Sequence, residues 1–409
     1  MHLTKNTYNY FLILFAIIPV TILIGPSISL FTILLIDISF IFLIIKNGNY
    51  SFLKNDTLKY LIALYLYLIF NSLISIDKTE GIYRNFGFIR IIILFIAFNF
   101  FFNQKLFFNK VFKIWLLTLL IVTFDVYFEY FTGANLLGFP EIRENSRLVS
   151  FFKDEQIVGG YIYSFYLILI GFLLNEYFFK QKKIIFLLII LLFLAIFLSG
   201  ERSNSIKAFL GILFLIYFFK EIPIKIKLTS FLFALLSLII LIFSSDYFKM
   251  RYSVQIKSAL GEQSIYFNLY KSGYQVFKNY PIFGVGNKNY RVETCKNFSD
   301  NNVSKKYDNY LCTTHPHQIY FEFLSEHGVI GSFILIFILF KLIFSKIFIV
   351  LKNSNYIQIG SMLFLVLIFL PVIPSGSFFN DNSITIFGIN LALFYASNKK
   401  FNIFTQQLR

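Results

Sequence analysis

The sequence predicts an all-α polytopic membrane protein with about twelve transmembrane helices and one long periplasmic loop. Three observations support this fold class: the 409 residues are 57% hydrophobic, only 14% are charged, and apolar runs recur from end to end. About 25% of the residues in a typical soluble protein are charged, whereas a membrane-spanning helix needs about 20 mostly apolar residues. We therefore expect a single membrane domain over residues 1–409.

The spans are predicted from the apolar runs in chain order. No small-residue cleavage site follows the first run, Tyr10–Gly25, so we expect it to be retained rather than removed as a signal peptide. The twelve spans are predicted near residues 9–25, 27–45, 58–75, 87–102, 111–131, 157–176, 183–199, 204–219, 227–244, 329–350, 357–373 and 383–397.

Lysine clusters in every second loop, and this pattern predicts the orientation. Short cytoplasmic loops carry an excess of Lys and Arg, so we expect both termini to be cytoplasmic. The predicted cytoplasmic residues, about half of the 37 basic ones, are Lys46, Lys54 and Lys59; Lys105, Lys110 and Lys113; Lys180, Lys182 and Lys183; Lys220, Lys225 and Lys227; Lys341, Lys346 and Lys352; and the terminal Lys5, Lys399, Lys400 and Arg409.

The formal net charge of +16 follows from this topology. No basic stretch lies in a foldable soluble module, so we expect no nucleic-acid partner. On the predicted outer side the short loops hold mainly Arg, including Arg84, Arg147 and Arg202. Guanidinium groups bind phosphate in a bidentate manner, which makes these three candidates for a diphosphate site. The alternative is that they bind lipid headgroups at the membrane surface.

The long periplasmic loop is predicted over residues 245–328 and contains both cysteines, Cys295 and Cys312. Two cysteines on the oxidising side of a membrane favour a disulfide over free thiols.

Three acids lie in or near predicted spans: Asp37, Asp125 and Glu129. Intramembrane carboxylates are functional candidates, but hydrogen bonding between helices is the preferred interpretation for these three.

Two motifs stand out in the long loop. The first, Pro281-Ile282-Phe283-Gly284-Val285-Gly286, predicts a tight turn that lets the backbone approach a ligand or another segment. The second begins Thr314-His315-Pro316-His317-Gln318 and continues to Gly331. We expect a helix that starts at Pro316 and carries His317 at its outer end. Gly328 would then lie beneath His317 on the same face, where a neighbouring helix approaches.

The second motif resembles the signature of O-antigen ligases. That signature is His, then Asn, Ser or Gln, nine residues, Gly, two residues, and Gly, Thr or Tyr; it is met by His317, Gln318, Gly328 and Gly331. The glycine-rich turn, Ser199-Gly200-Glu201-Arg202-Ser203 and Arg147-Leu148-Val149-Ser150-Phe151-Phe152 are similar to other elements of that family. Arg291 and Arg251 are candidates for its long-loop arginine.

The resemblance implies a GT-C-like glycosyltransferase in the bacterial inner membrane with a periplasmic active site. Its donor would be a glycan on a polyprenyl diphosphate, and its acceptor a lipid A–core hydroxyl or another glycan. His317 would be the general base, with His315 as a second choice, and arginines (Arg202, Arg147, Arg84 and Arg291) would bind the diphosphate. No cofactor is implied.

We expect catalysis without a metal, because the outer acids lack metal-ligand spacing. Those acids are Asp77, Glu80, Glu141, Asp154 and Glu155.

Two other functions remain open at this point. An O-antigen polymerase, which joins lipid-linked repeats, is the first alternative; the Arg-x10-Gly pattern of the best-known polymerases does not occur after Arg143, Arg147, Arg251 or Arg291. A flippase for lipid-linked glycans is less favoured, because the spans are nearly free of charge.

Overall fold

The computed structural model describes residues 4–48, 50–139, 147–153, 155–261, 264–296, 310–371 and 373–405. Four residues named above, Glu141, Arg143, Asp154 and Arg409, lie outside these ranges. No β-strand occurs in the described part of the chain, which confirms the all-α fold class.

Eighteen α-helices are present within the described ranges. They are α1 (Lys5–Ala16), α2 (Ile18–Ile24), α3 (Pro26–Asn47), α4 (Asp56–Leu73), α5 (Lys78–Gly87), α6 (Ile89–Phe101), α7 (Lys105–Thr132), α8 (Val158–Leu198), α9 (Arg202–Phe218), α10 (Ile224–Ser244), α11 (Asp246–Lys249), α12 (Gln255–Leu260), α13 (Ile265–Asn279), α14 (Tyr290–Cys295), α15 (Ile319–Leu342), α16 (Ile347–Lys352), α17 (Tyr356–Leu367) and α18 (Asp381–Ala396).

By length and composition, six helical segments in the described ranges could cross a membrane. The α1–α2 pair, bent by 42°, adds a seventh if it counts as one span. The predicted number of about twelve is therefore not established by this criterion. The six segments are Pro26–Asn47, Lys78–Phe101, Lys105–Thr132, Val158–Leu198, Ile224–Ser244 and Ile319–Lys352.

Helix α8 consists of two arms that fold back on each other. Its 41 residues would extend about 60 Å as one rod, but Gln181 has non-helical angles (φ −140°, ψ 35°). The Tyr166 hydroxyl donates a hydrogen bond to the Ile189 carbonyl at 3.1 Å, so the arms lie side by side. The Gly159 N–H donates to Glu201, just beyond the second arm, at 2.7 Å. Both ends of α8 are therefore at one end of the bundle.

Helix α17 packs antiparallel to the first arm of α8. The backbones touch where glycine removes the side chain: Gly171 lies against Tyr356, and Gly360 against Leu167. Because the two helices run in opposite directions, the start of α8 at Gly159 and the chain just after α17, at Phe369, lie at the same end of the bundle. We use the term site end for the end of the bundle that contains Gly159, Glu201 and Phe369.

Polar contacts also connect the helices at the opposite end of the bundle. The Asn402 side chain donates to the Asn99 carbonyl at 2.6 Å, and the Asn175 side chain donates to that of Asn355 at 3.2 Å. Lys105 forms an ion pair with Glu176 at 3.1 Å. These contacts join loops that the lysine pattern predicts to be cytoplasmic.

The predicted long loop contains four short helices, α11 to α14, and the first residues of α15. Its described residues therefore form a folded segment. Residues 319–327 are helical, as expected for the helix predicted after the histidine motif, although that helix begins later than predicted.

Candidate functional site

The two sequence motifs of the long loop form one structural unit. Helix α15 is interrupted at Gly328, which has φ 63° and ψ −169°. The N–H groups of Val329 and Ile330 donate outside the helix, to the carbonyls of Pro281 and Ile282 at 2.8 and 3.1 Å. The glycine-rich turn thus supplies the acceptors that the broken helix lacks.

The turn also binds the carbonyl groups on the other side of the break. The Val285 N–H donates to the Ser325 carbonyl and the Gly286 N–H to the Glu326 carbonyl, both at 2.9 Å. Four backbone hydrogen bonds therefore dock the turn into α15. We refer to residues 281–286 as the docked turn.

Close approach of the two backbones explains two of the glycines, and a neighbouring side chain explains a third. A Cβ on Gly328 would overlap Ile282, and a Cβ on Gly284 would overlap the His327 N–H. Gly331 faces the Tyr67 hydroxyl at similarly close range. The prediction that a neighbouring helix packs against Gly328 is wrong: Gly328 breaks the helix, and the docked turn occupies that place.

His317 lies just before α15 rather than on it. The helix begins at Ile319, and the Gln318 side chain caps it by accepting from the N–H groups of Tyr320 and Phe321 at 2.7 and 3.2 Å. The predicted helix start at Pro316 is therefore wrong, because Gln318 takes the N-cap position.

The backbone of His317 is in the left-handed region with φ 55°. Its carbonyl accepts from the Ser375 N–H at 2.9 Å. We call residues 314–317 the histidine loop. This bond joins the histidine loop to the segment between α17 and α18.

The imidazoles of His315 and His317 lie against each other, with ring centroids 4.0 Å apart. Burial, followed by the neighbouring His315, lowers the pKa of His317 to about 4. Burial and the charge of Lys288 lower the pKa of His315 to about 4. Both rings are therefore neutral at pH 7, the protonation state that a general base requires.

A buried acid and a lysine that the sequence analysis missed support this loop. Glu322, fully buried, accepts from the Ser377 hydroxyl at 2.6 Å and the Phe378 N–H at 2.9 Å. The Lys288 ammonium donates to the same Ser377 hydroxyl. Glu322 was missed because its position lies before the span predicted from residue 329; inside a predicted span its charge would have drawn attention.

Glu326 and His327 are also buried in α15, beside the docked turn. The Tyr67 hydroxyl lies 3.0 Å from Nδ1 of His327. Glu326 Oε1 accepts from the Tyr290 N–H at 3.4 Å. Both side chains face the packing between α15, α4 and the turn.

Three arginines converge at the loop between α8 and α9. Arg251 donates to the Gly200 carbonyl at 2.7 Å, and Arg147 also lies against Gly200. Burial and then the charge of Arg147 lower the pKa of Arg251, with a further contribution from Arg202. We call Arg147, Arg202 and Arg251 the arginine cluster. It is a concentration of positive charge suited to a phosphate-bearing ligand.

Local structure explains how Arg251 and Arg147 reach this place. Arg251 lies in a single π-helical turn, Met250–Val254, a form that is frequent at functional sites. The loop carrying Arg147 is anchored by Glu129, which accepts from the Val149 and Ser150 N–H groups at 3.0 and 2.6 Å.

Asp125 contributes to the same anchor. It accepts from the Ser150 hydroxyl at 2.5 Å and the Leu136 N–H at 2.7 Å. The hydrogen bonds of Asp125 and Glu129 are thus structural and run to loop backbone and a loop hydroxyl rather than between helices.

Arg84 is engaged elsewhere. Its guanidinium lies 3.7 Å from Asp381, which Arg90 binds more closely at 2.8 Å. The structure therefore does not group Arg84 with Arg147 and Arg202 as a single diphosphate site.

Arg291 is exposed on α14. The adjoining Cys295 is joined to Cys312 by a disulfide, with Cα atoms 4.6 Å apart.

The arginine cluster and the histidine loop lie at the same end of the bundle. Arg202 directly follows Glu201, which defines the site end. The Tyr320 hydroxyl donates to the Phe369 carbonyl at 2.7 Å, so the start of α15 is there too. The described residues include no group of three or more His, Cys, Asp and Glu side chains arranged to hold a metal.

These features define a polytopic helical membrane protein with cations and neutral histidines at one end. Residues 187–336, just over a third of the chain, match the family model described as O-antigen ligase, so this part of the chain is similar to that family. The match includes Arg202, Arg251, the docked turn and His317. No curated protein matches the chain at a significant level.

Proposed function

We propose that this protein is an O-antigen ligase. It transfers a glycan from a polyprenyl diphosphate carrier to a hydroxyl of a lipid A–core acceptor. The observation that carries the proposal is the shared location of the arginine cluster and His317 at the site end of the bundle. The similarity of residues 187–336 to the O-antigen ligase family supports lipid-linked glycans as the substrate class.

The reaction is a single displacement that inverts the anomeric carbon. A ring nitrogen of His317 takes the proton of the acceptor hydroxyl, whose oxygen forms a bond to the anomeric carbon. The bond between that carbon and the diphosphate oxygen breaks, and polyprenyl diphosphate leaves with the electron pair. The imidazolium then returns its proton to water. A general base of this kind contributes about 10²–10⁴-fold to the rate.

The arginine cluster stabilises the charge that develops on the departing diphosphate. Arg202 and Arg147 are half-buried, and Arg251 is held by the Gly200 carbonyl and by Gln255 at 2.9 Å. A partly desolvated guanidinium binds an anion more strongly than a solvated one does. Arg291 belongs to this proposal only as an exposed cation that could meet the donor before it docks.

The proposal places the site end in the periplasm and both termini in the cytoplasm. The antiparallel arms of α8 support two spans within that helix, and about twelve spans in all follow if every predicted run crosses. The disulfide between Cys295 and Cys312 agrees with an oxidising compartment.

An O-antigen polymerase is the second candidate. It would use the same base and diphosphate site, and the family match covers both activities. The two differ in the acceptor: a lipid A–core sugar for the ligase, another lipid-linked repeat for the polymerase.

The purified full chain, supplied with lipid-linked glycan and lipid A–core, tests the chemistry. We expect product from the wild type with or without EDTA, and a loss of about 10²-fold or more in His317→Ala. Inhibition by EDTA that added metal reverses would contradict the metal-free mechanism. Full activity of His317→Ala would remove the proposed base.

A further inference from the structure

The backbone conformation of His317 requires support from its surroundings. Residues with a β-carbon seldom adopt a φ of 55°, and they keep it only where neighbouring groups impose it. Those groups therefore determine where the imidazole points.

Two neighbouring groups hold the backbone of His317. The Gln318 side chain fixes the residue after His317 as the N-cap of α15. The Ser375 N–H binds the His317 carbonyl at 2.9 Å. The contact with Ser375 can hold His317 in place only if the segment that carries Ser375 is itself fixed.

Glu322 holds that segment. Its carboxylate accepts from the Ser377 hydroxyl at 2.6 Å and from the Phe378 N–H at 2.9 and 3.2 Å. Glu322 is fully buried and follows His317 by five residues on the same chain segment. It therefore connects the helix that His317 precedes to the segment that binds the His317 carbonyl.

Lys288 supplies the opposite charge. A buried carboxylate is costly unless it is paired and hydrogen-bonded, and the Lys288 ammonium donates to the Ser377 hydroxyl that Glu322 also binds. Lys288 has a left-handed φ of 66° and follows Gly286, the last residue of the docked turn. The chain just after the docked turn thus places the Lys288 ammonium beside the Ser377 hydroxyl.

We propose that Glu322 and Lys288 form one positioning unit that holds His317 in its reactive orientation through residues 375–378. Both are positioning residues: Glu322 binds the Ser377 hydroxyl and the Phe378 N–H, and Lys288 binds the Ser377 hydroxyl. This inference rests on the proposed function, and it assigns a reason for the docking of the glycine-rich turn into α15.

The test measures kcat and donor KM for the full chain in detergent, with variant amounts normalised to folded protein. We expect Glu322→Ala to lower kcat about 100-fold, the scale of a misplaced catalytic group, with KM within about twofold of wild type. Glu322→Gln keeps an oxygen that can accept from Phe378, so it should recover most of the lost kcat.

Glu293→Ala is the matched control. Glu293 is also buried, but it lies on α14, where its carboxylate accepts from the Tyr310 hydroxyl at 3.4 Å and from the Lys296 ammonium at 3.0 Å instead of binding residues 375–378. We expect its kcat, per amount of folded protein, to stay within about threefold of wild type, because it does not contact the segment that holds His317. Equal losses in Glu322→Ala and Glu293→Ala would overturn the inference, as would wild-type kcat in Glu322→Ala.

Lys288→Met provides a second variant if Glu322→Ala does not fold. It keeps the apolar stem and removes the ammonium, so we expect lower kcat at unchanged KM; Lys288→Arg should be less affected. Wild-type kcat in Lys288→Met would overturn the inference. Absence of transfer by the wild type would instead refute the proposed function.

Discussion

At the scale of single residues, the protonation of His317 is the most direct consequence of the site. A histidine in water has a pKa near 6.5, but burial and the adjacent His315 lower the pKa of His317 to about 4. The ring is then almost wholly in its basic form at pH 7. The reduced affinity for a proton is the cost of this burial.

This shift predicts the pH dependence of the reaction. The base works when neutral, so lowering its pKa moves the loss of activity to lower pH. We expect kcat/KM to be constant from pH 7 to about 5 and to fall by half near pH 4, measured with the purified full chain. An acidic limb centred near pH 6.5 would mean that a solvated histidine performs the reaction.

The arginines provide a second prediction, because the structure separates Arg202 from Arg84. Arg202→Ala should lower kcat/KM for the lipid-linked donor by about 10- to 100-fold, the scale of a charge-assisted hydrogen bond. Arg84, exposed and partly paired with Asp381, is the control; we expect less than about a threefold change in Arg84→Ala. A larger loss in Arg84→Ala than in Arg202→Ala would refute the arginine cluster as the diphosphate site.

At the scale of elements, the docking of residues 281–286 into α15 explains why two motifs separated by thirty or more residues occur together. At Gly328 the backbone groups of α15 form hydrogen bonds with the docked turn instead of with each other. Each backbone needs a glycine where the other approaches. The two motifs are thus halves of one structure.

Substitution of Gly284 tests this docking. With φ 69° and the His327 N–H in the place of a Cβ, Gly284→Ala should destabilise the protein by about 2 kcal/mol or more. The measurement is the thermal midpoint of the detergent-solubilised chain. Gly261→Ala is the control, since its φ is ordinary and its nearest neighbour is 3.5 Å away. Equal midpoints for the two variants would contradict the docking.

The sequence predicts some of these elements well and others poorly, for physical reasons. Apolar runs identify helices because a span must bury its own backbone polar groups. The glycine pattern indicates a close approach, but not which segment approaches, because Gly328 and Ile282 are far apart in sequence. Periodicity alone extends α15 through Pro316 and cannot show that Gln318 caps it.

The sequence likewise indicates some of the charged residues of the site and not others. Arg147 and Arg202 stand out in short loops, whereas the role of Lys288 depends on Ser377, which lies 89 residues further along the chain. Long-range pairing of this kind has no local signal. Arg84 shows the converse, since its position in the sequence resembles that of Arg202 but the structure pairs it with Asp381.

At the scale of the whole molecule, the arrangement of charge supports the proposal that this nearly apolar bundle acts on a lipid-linked substrate. The arginine cluster and His317 lie at one end, where a diphosphate carried by a membrane lipid would meet the protein. The opposite end is joined by contacts such as Lys105 to Glu176 and Asn402 to Asn99. This polarity of the bundle is what a transferase of lipid-linked glycans requires.

The most direct test of the central claim is the lipopolysaccharide profile of a strain that lacks the gene and is complemented with wild type or His317→Ala. We predict that both the deletion and His317→Ala lose all polymer-bearing bands and accumulate lipid-linked polymer, while wild type restores the bands. A shift to bands with a single repeat would identify a polymerase instead. An unchanged profile in the deletion strain would contradict both activities.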